Sequence, residues 1–342
     1  MSLACLEVVS INGQASIQDL GRFNAQHLGF SAGGAADEFA FLHANRLIAA
    51  RYHATENITD KQHNYAALEI TLGQIHLKAH SACTIAITGA DCNAKINNIA
   101  AKNWQCYQLA AGDIIYFSMP KTGLHSYLAV QGGFTCEAKQ QPWLGSFAQT
   151  GNEMALGFTD KPLTAGSKLY FSGQSQKSTE LVAQTATSLT SAYKQFYSQG
   201  KLTLRMMPSA LFLQMDKHQQ QAFLTTEYVI SADSNRMGYR LIADHSQKVS
   251  SNEKILSESL RRRCLLSRPV SYGMVQFPTN EQPIILMKER QTMGGYPVLG
   301  TIMQTDLFRL SQMRPGEKVC FSLIKVQQAQ QQLIAFREKF TP

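Results

Sequence analysis

Short alternating segments, each closed by a glycine-bearing turn, constrain this chain more than any other feature. Gln74-Ile75-His76-Leu77-Lys78-Ala79 and Lys201-Leu202-Thr203-Leu204-Arg205-Met206 alternate apolar and polar residues. That period of two is the pattern of a strand buried on one face. Residues 84–88, 113–118, 126–131, 168–172, 227–231 and 318–325 are further strand candidates. Gly89-Ala90-Asp91, Ala111-Gly112-Asp113, Gly132-Gly133 and Pro315-Gly316-Glu317 punctuate them. Many short strands separated by such turns predict a barrel or a sandwich.

Helical signals are few. Asp37 precedes a stretch reaching about Ala50 in which Ala40, Phe41, Ala44, Leu47 and Ile48 share one face, and aspartate is a favoured N-cap. Ser209 is expected to cap a helix over 210–217. Thr305 is expected to cap one over 306–313, stopped by Pro315-Gly316. Residues 326–339, rich in Gln and Ala, read as a C-terminal helix. A length of 342 residues suggests about two domains. The Ser-, Thr- and Gln-rich stretch between the strand-rich halves reads as their linker. The expected division is an N-terminal β domain over 1–172, a linker over 173–200, a C-terminal β domain over 201–325 and a terminal helix over 326–342.

Composition excludes several classes. With 44% hydrophobic and 16% charged residues the chain has ample core. No apolar run approaches a membrane span, and no signal peptide is read at the N-terminus. Seven scattered cysteines without a Cys-x-x-Cys pair fit a reduced, cytoplasmic protein. The net charge of +8 is spread out, with one dense run at Arg261-Arg262-Arg263 and Arg268 nearby. That run reads as a solvated loop, and no nucleic-acid-binding motif accompanies it. There is no phosphate-binding Gly-x-x-x-x-Gly-Lys-Ser/Thr, no His-Glu-x-x-His and no Gly-x-Ser-x-Gly. His76 and His80 fall on a strand-like stretch, so no metal site is expected from them.

The chemistry concentrates near the C-terminal end. Gln282-Pro283-Ile284-Ile285-Leu286-Met287 reads as a buried strand, followed by Lys288 and then Glu289-Arg290-Gln291-Thr292-Met293-Gly294-Gly295-Tyr296-Pro297. A carboxylate, a guanidinium, an amide, a hydroxyl and a phenol can fix a small planar ligand by directed hydrogen bonds. The Gly-Gly pair permits close backbone approach or a positive φ. Asp233-Ser234-Asn235-Arg236-Met237-Gly238-Tyr239-Arg240-Leu241 and Tyr272-Gly273-Met274-Val275-Gln276-Phe277-Pro278 each read as a turn beside a strand, able to lend an Arg or Gln to a shared pocket. Near the N-terminus, Ile17-Gln18-Asp19-Leu20-Gly21-Arg22 precedes Gly33-Gly34-Ala35-Ala36-Asp37 and Asn45. Two readings stand there: a helix start offering N–H groups to an anion, or a turn braced by Asp19 and Arg22 with Asp37 as a cap.

Taken in order, these clusters resemble the family of the C subunit of bacterial ATP-dependent 5-oxoprolinase. It is also described as the biotin-dependent carboxyltransferase or allophanate hydrolase subunit 2 family. The resemblance covers nearly the whole chain, including Leu68-Glu69, Thr88-Gly89-Ala90, the run Tyr127-Leu128-Ala129-Val130-Gln131-Gly132-Gly133, Leu144-Gly145-Ser146, Ser267 and Gly273. It implies a mainly β chain with a few short helices, built as two cyclophilin-like β-barrel domains. It implies ATP-driven opening of 5-oxoproline to glutamate, with Mg2+ accompanying ATP, in a complex with a kinase-inhibitor-related B subunit and an A subunit. The isolated chain is then expected to be inactive. Two alternatives come with the family: a carboxyltransferase that takes a carboxyl group from biotin to urea or a related small amide, and a non-catalytic antagonist of a kinase inhibitor. For the amide chemistry, Glu289, Arg290 and Arg236 are the catalytic candidates. Gln276, Lys288, Gln291, Thr292, Gly294, Gly295 and Tyr296 are the substrate-binding candidates. Asp19, Arg22, Asp37 and Asn45 are structural or site-supporting. The chain departs from the family pattern at Glu289 and Asn235, where Asp is usual, and at Phe147, Arg268 and Glu281, where Arg, an acid and Gly are usual.

Overall fold

The alternating segments become strands in two separate units. The computed structural model describes residues 4–52, 65–135, 141–172, 196–197, 201–244, 266–280 and 282–340. One unit comprises Met1–Ala25, Ala32–Phe196 and Glu338–Pro342; the other comprises Gln26–Ser31 and Tyr197–Arg337. The stretch read as a linker lies outside the described residues apart from Phe196 and Tyr197, as do Arg261, Arg262, Arg263 and Glu281.

The first unit encloses its core between two antiparallel sheets. One has seven strands, in the order Phe134–Thr135, Lys168–Phe171, Ala4–Ile11, Ile75–Ala79, Ile114–Phe117, Lys95–Ile96, Ile99–Ala100. The other has five, in the order Gln14–Gln18, Ala67–Thr71, His125–Val130, Cys83–Gly89, Gln105–Leu109. Leu6, Leu77, Ile115 and Phe171 from the first meet Leu68, Ile85, Ile87 and Leu128 from the second in one cluster. Cys83–Gly89 and His125–Val130 are buried at every residue, so both of their faces are covered. The helix Glu38–Tyr52 packs on these two strands. Asp37 caps it, accepting a hydrogen bond from the Ala40 N–H at 3.1 Å. All five residues of the expected apolar face are buried.

The second unit is a closed barrel in the order Leu202–Pro208, Val298–Ile302, Met274–Gln276, Ile284–Leu286, Gly238–Ala243, Tyr228–Ile230, Lys318–Leu323. Closure is made by a parallel pairing of Lys318–Leu323 with Leu202–Pro208, which leaves no barrel edge open. Tyr239, Leu241, Val275 and Ile285 point inward with Leu204, Phe223 and Phe321.

Two helices differ from expectation. The stretch 210–217 is not continuous: Ala210–Gln214, capped by Ser209, ends at an extended Met215. Asp216 then opens a second helix, Lys217–Thr225, with a capping box to Gln219. A strong cap overrides continuation because it satisfies backbone N–H groups that would otherwise be left over. Thr305 is not a cap either. The helix Gln304–Ser311 starts after Met303, and buried Asp306 receives the Arg205 Nε and Nη2 donors at 2.9 and 2.5 Å. The C-terminal helix is present as Val326–Glu338.

Candidate functional site

Barrel register builds the site. Gln276 is the Cα partner of Ile284, and Ile284 of Arg240. These three residues therefore share one row across three neighbouring strands. Successive side chains alternate between faces, and Val275, Ile285, Tyr239 and Leu241 occupy the barrel core. The row consequently faces away from the core. The ladder shifts register between Val275 and Gln276, an irregularity that re-aims side chains. A cavity of about 230 Å³ lies over this row. Ile284, Leu286, Met237 and Pro278 supply its apolar surface, and Arg240, Tyr296 and five carboxamides its polar surface.

The lining favours ligands that accept hydrogen bonds. Among the described residues it contains no carboxylate. Asn235 Oδ1 is engaged by the backbone N–H groups of Met237 and Gly238 at 2.8 and 3.4 Å. Asn280 Oδ1 accepts from the Gln282 N–H, and Gln282 Oε1 from Asn280 Nδ2. Each of these carbonyls thus already accepts a donor from the protein. Gln276 is 1% exposed, and its Nε2 is buried without a hydrogen-bond partner. A buried donor left unmatched is costly, so this amide is held ready for an acceptor. Gly294 makes room for it. A Cβ there would fall 2.5 Å from Gln276 Nε2 and 3.6 Å from Gln291 Nε2. Gly294 serves by close approach rather than by a positive φ.

Of the sequence candidates, Gln276, Gln291 and Tyr296 line the cavity, while Lys288, Glu289 and Arg290 lie in the segment between its residues Leu286 and Gln291. Glu289 and Arg236 form an ion pair through Arg236 Nε, and the Glu289 N–H donates to the Arg236 carbonyl at 2.8 Å. Neither side chain is therefore an isolated charge. Arg290 is different. It is 5% exposed, donates from Nη1 to the Met287 carbonyl at 3.3 Å, and has an unmatched Nε. No carboxylate pairs with it among the described residues. The Tyr272 ring carries Lys288 Nζ 4.8 Å away and Arg290 Cζ 5.9 Å away, within cation–π range. Burial pulls the Arg290 guanidinium below its ordinary range, offset in part by Tyr272; arginine stays protonated in proteins. Thr292 receives the Val270 N–H on its backbone carbonyl at 3.1 Å. Gly295 adjoins the short pairing of Arg268–Pro269 with Met293–Gly294. Asn280 and Gln282 escaped selection from the sequence, and Arg240 stood inside a cluster able to lend an arginine without being named as a candidate. The signal for Arg240 was its even offset from Gly238 on a strand whose odd positions are core.

The N-terminal cluster lies in the first unit and is knit internally. Asp19 accepts from the Gly21 N–H, Ser146 Oγ and the Phe147 N–H at 2.7, 2.7 and 2.8 Å. Arg22 donates to the Ala148 carbonyl and stands 4.7 Å over the Trp143 ring. Asn45 donates to the Phe41 carbonyl at 3.3 Å. The N–H groups of Gly34, Ala35, Ala36 and Asp37 are taken by Gln18, Asp19, Glu69 and Tyr127. The anion at this helix start is internal: buried Glu69, which also accepts from Tyr127 Oη at 2.7 Å. These partners fit the reading of a braced turn with Asp37 as a cap, while Arg22 Nε and Nη1 are buried without a hydrogen-bond partner.

Comparison with known proteins adds an independent line. The family profile of the carboxyltransferase domain, subdomain A and B, matches residues 28–323. The C subunit of 5-oxoprolinase from Haemophilus influenzae is 28% identical over 324 residues, spanning 95% of this chain and 93% of that protein. Its Escherichia coli counterpart, also a 5-oxoprolinase C subunit, is 29% identical over the same spans. The urea amidolyase of Lachancea kluyveri is 23% identical over 335 residues, but only 17% of its length is matched. In fold, the chain is similar to the K. lactis urea amidolyase (TM-score 0.77, 20% identity), covering 99% of this chain and 20% of that one. It is also similar to TTHA0988 (TM-score 0.71, 23% identity), where the match spans 94% of this chain and 56% of that one.

Proposed function

The chain belongs to the carboxyltransferase domain family, subdomain A and B, and on that premise we propose that it serves as the C subunit of an ATP-dependent 5-oxoprolinase. One observation carries the reading. The two 5-oxoprolinase relatives align over 93% of their own length, whereas the urea amidolyase match is to 17% of a longer protein.

A lactam resists attack because resonance spreads electron density from nitrogen onto its carbonyl. When bound in the complex, ATP supplies the phosphoryl group that turns the lactam oxygen into part of a better electrophile. The residues of this chain bind and orient. Gln276 Nε2 donates to the lactam carbonyl, the ring methylenes rest on Ile284 and Leu286, and Gln291 and Tyr296 close the rim. Arg290 supplies a preorganised positive field for developing charge. Glu289, positioned by Arg236, takes a proton from the attacking water and returns it to the ring nitrogen as the C–N bond breaks. Lys288, Thr292, Gly294 and Gly295 shape the same segment. No group of three or more His, Cys, Asp or Glu among the described residues could hold a metal ion. Carboxyl transfer from biotin to urea is the second reading, favoured by the Lachancea kluyveri match over 95% of this chain.

The test is glutamate release from 5-oxoproline with ATP, using this chain with its cognate A and B subunits and omitting each in turn. The expected result is turnover that requires all three. A stable assembly without glutamate release would transfer the site to urea carboxylation.

A further inference from the structure

Among the groups lining the cavity, Arg240 is the charged side chain that the oxoprolinase reading leaves without a task. It lines the cavity, and its guanidinium makes no ion pair among the described residues. Its hydrogen bonds are made by its backbone, to Ser234 Oγ at 3.0 and 3.3 Å and to the Ser231 N–H at 2.9 Å. We propose that Arg240 selects a carboxylate-bearing substrate, pairing with the acid group at one end of the cavity while Gln276 holds the amide carbonyl at the other. The proposal rests on the 5-oxoprolinase reading and narrows it to a residue that decides specificity.

Three observations carry it. The first is spacing. Arg240 and Gln276 flank Ile284 in register, so their backbones stand two strand spacings apart, about 10 Å. Both side chains line the cavity on either side of Ile284, so a small ring resting on the isoleucine can meet both. The second is hydrogen-bond polarity. The carbonyls of Asn235, Asn280 and Gln282 each already accept a donor from the protein. What remains is chiefly donors, together with one cation. A cyclic amide acid offers acceptors on both sides of its ring nitrogen, a carbonyl oxygen and a carboxylate. Urea offers one carbonyl and four N–H groups but no anion for the guanidinium. The third is charge. Among the described residues, the cavity lining carries no acid to compete for the guanidinium.

Arg240 is exposed and outside the barrel core, so replacing it should leave the fold intact. The experiment compares wild type, Arg240→Gln and Arg240→Lys in the assembled enzyme. Substrates are 5-oxoproline and its uncharged carboxamide, 5-oxoprolinamide. Loss of a charge-assisted pair is expected to raise KM for 5-oxoproline about tenfold or more in Arg240→Gln. Little change in kcat, partial recovery in Arg240→Lys and an unaltered response to the carboxamide are expected with it. An unchanged KM for 5-oxoproline would overturn the assignment while leaving the oxoprolinase reading intact. A rise in KM for ATP with both substrates would show the guanidinium serving phosphate, and would overturn it equally. Absence of 5-oxoproline turnover by the wild-type assembly would remove both.

Discussion

At the scale of single residues, Gly294 decides whether Gln276 can act. A methyl group there would press 2.5 Å from Gln276 Nε2 and 3.1 Å from Val270 Cγ1. The amide is the far end of a flexible side chain, so it yields before the barrel backbone does. Overpacking of this kind costs about 1–3 kcal/mol, but its larger effect falls on a donor moved out of line. Gly294→Ala is expected to raise the complex's KM for 5-oxoproline about tenfold while lowering the thermal midpoint by only a few degrees. Steady-state kinetics beside a thermal melt would separate the two. A lowered midpoint with KM unmoved would make Gln276 a packing residue. Asn235 shows the same economy of position: its carboxamide oxygen caps the turn to Gly238 as a carboxylate would, without bringing a negative charge to the cavity.

Elements carry the second kind of consequence, and the helix Glu38–Tyr52 is the clearest. His43 is 6% exposed, bonded through Nδ1 to the Phe39 carbonyl at 2.8 Å and surrounded by Phe39, Trp104 and Phe340. Burial, helped by Arg46 and Lys339, lowers its pKa from 6.5 to about 4 against the pull of the Phe39 carbonyl. Between those values the unfolded chain binds a proton that the folded chain refuses. The stability His43 contributes is therefore complete above about pH 6.5, falls on acidification and is exhausted near pH 4. The span corresponds to roughly 3 kcal/mol. Urea unfolding at several pH values should show this decline in wild type and a flatter profile in His43→Phe. Identical slopes would mean that His43 does not titrate in this window. This helix was legible in the sequence because one apolar face and one cap coincide. Other elements were hidden for physical reasons. Val298–Ile302 carries Gly300 in mid-strand, which reads as a breaker. It is required there because a Cβ would meet the Met207 carbonyl oxygen at 2.5 Å. Ala4–Ile11 loses its alternation at a register shift between Val8 and Ser10. The loop half of the site was visible in Glu289–Pro297, since polar groups around Gly-Gly stand out. The strand half was not, because Gln276, Ile284 and Arg240 become neighbours only through barrel register.

For the molecule as a whole, recognition and chemistry separate. The cavity offers a donor-biased lining and a cation suited to a small acidic amide. A net charge of +8 favours the approach of an anion. The chain also lacks a Gly-x-x-x-x-Gly-Lys-Ser/Thr phosphate loop, and its relatives of similar length are named as subunits. Binding should therefore survive in the isolated chain where turnover does not. We expect the purified chain to bind 5-oxoproline with a Kd in the millimolar range, about −4 kcal/mol, by ligand-observed NMR. Affinity should weaken as salt screens the charge, and no glutamate should form when ATP is added. The carboxamide should bind more weakly, since it leaves Arg240 without its anion. Glutamate formation by the chain alone would overturn the division of labour between subunits. Binding that ignores both salt and the carboxylate would leave the row of Gln276, Ile284 and Arg240 as barrel surface, and would move recognition to residues that a partner brings.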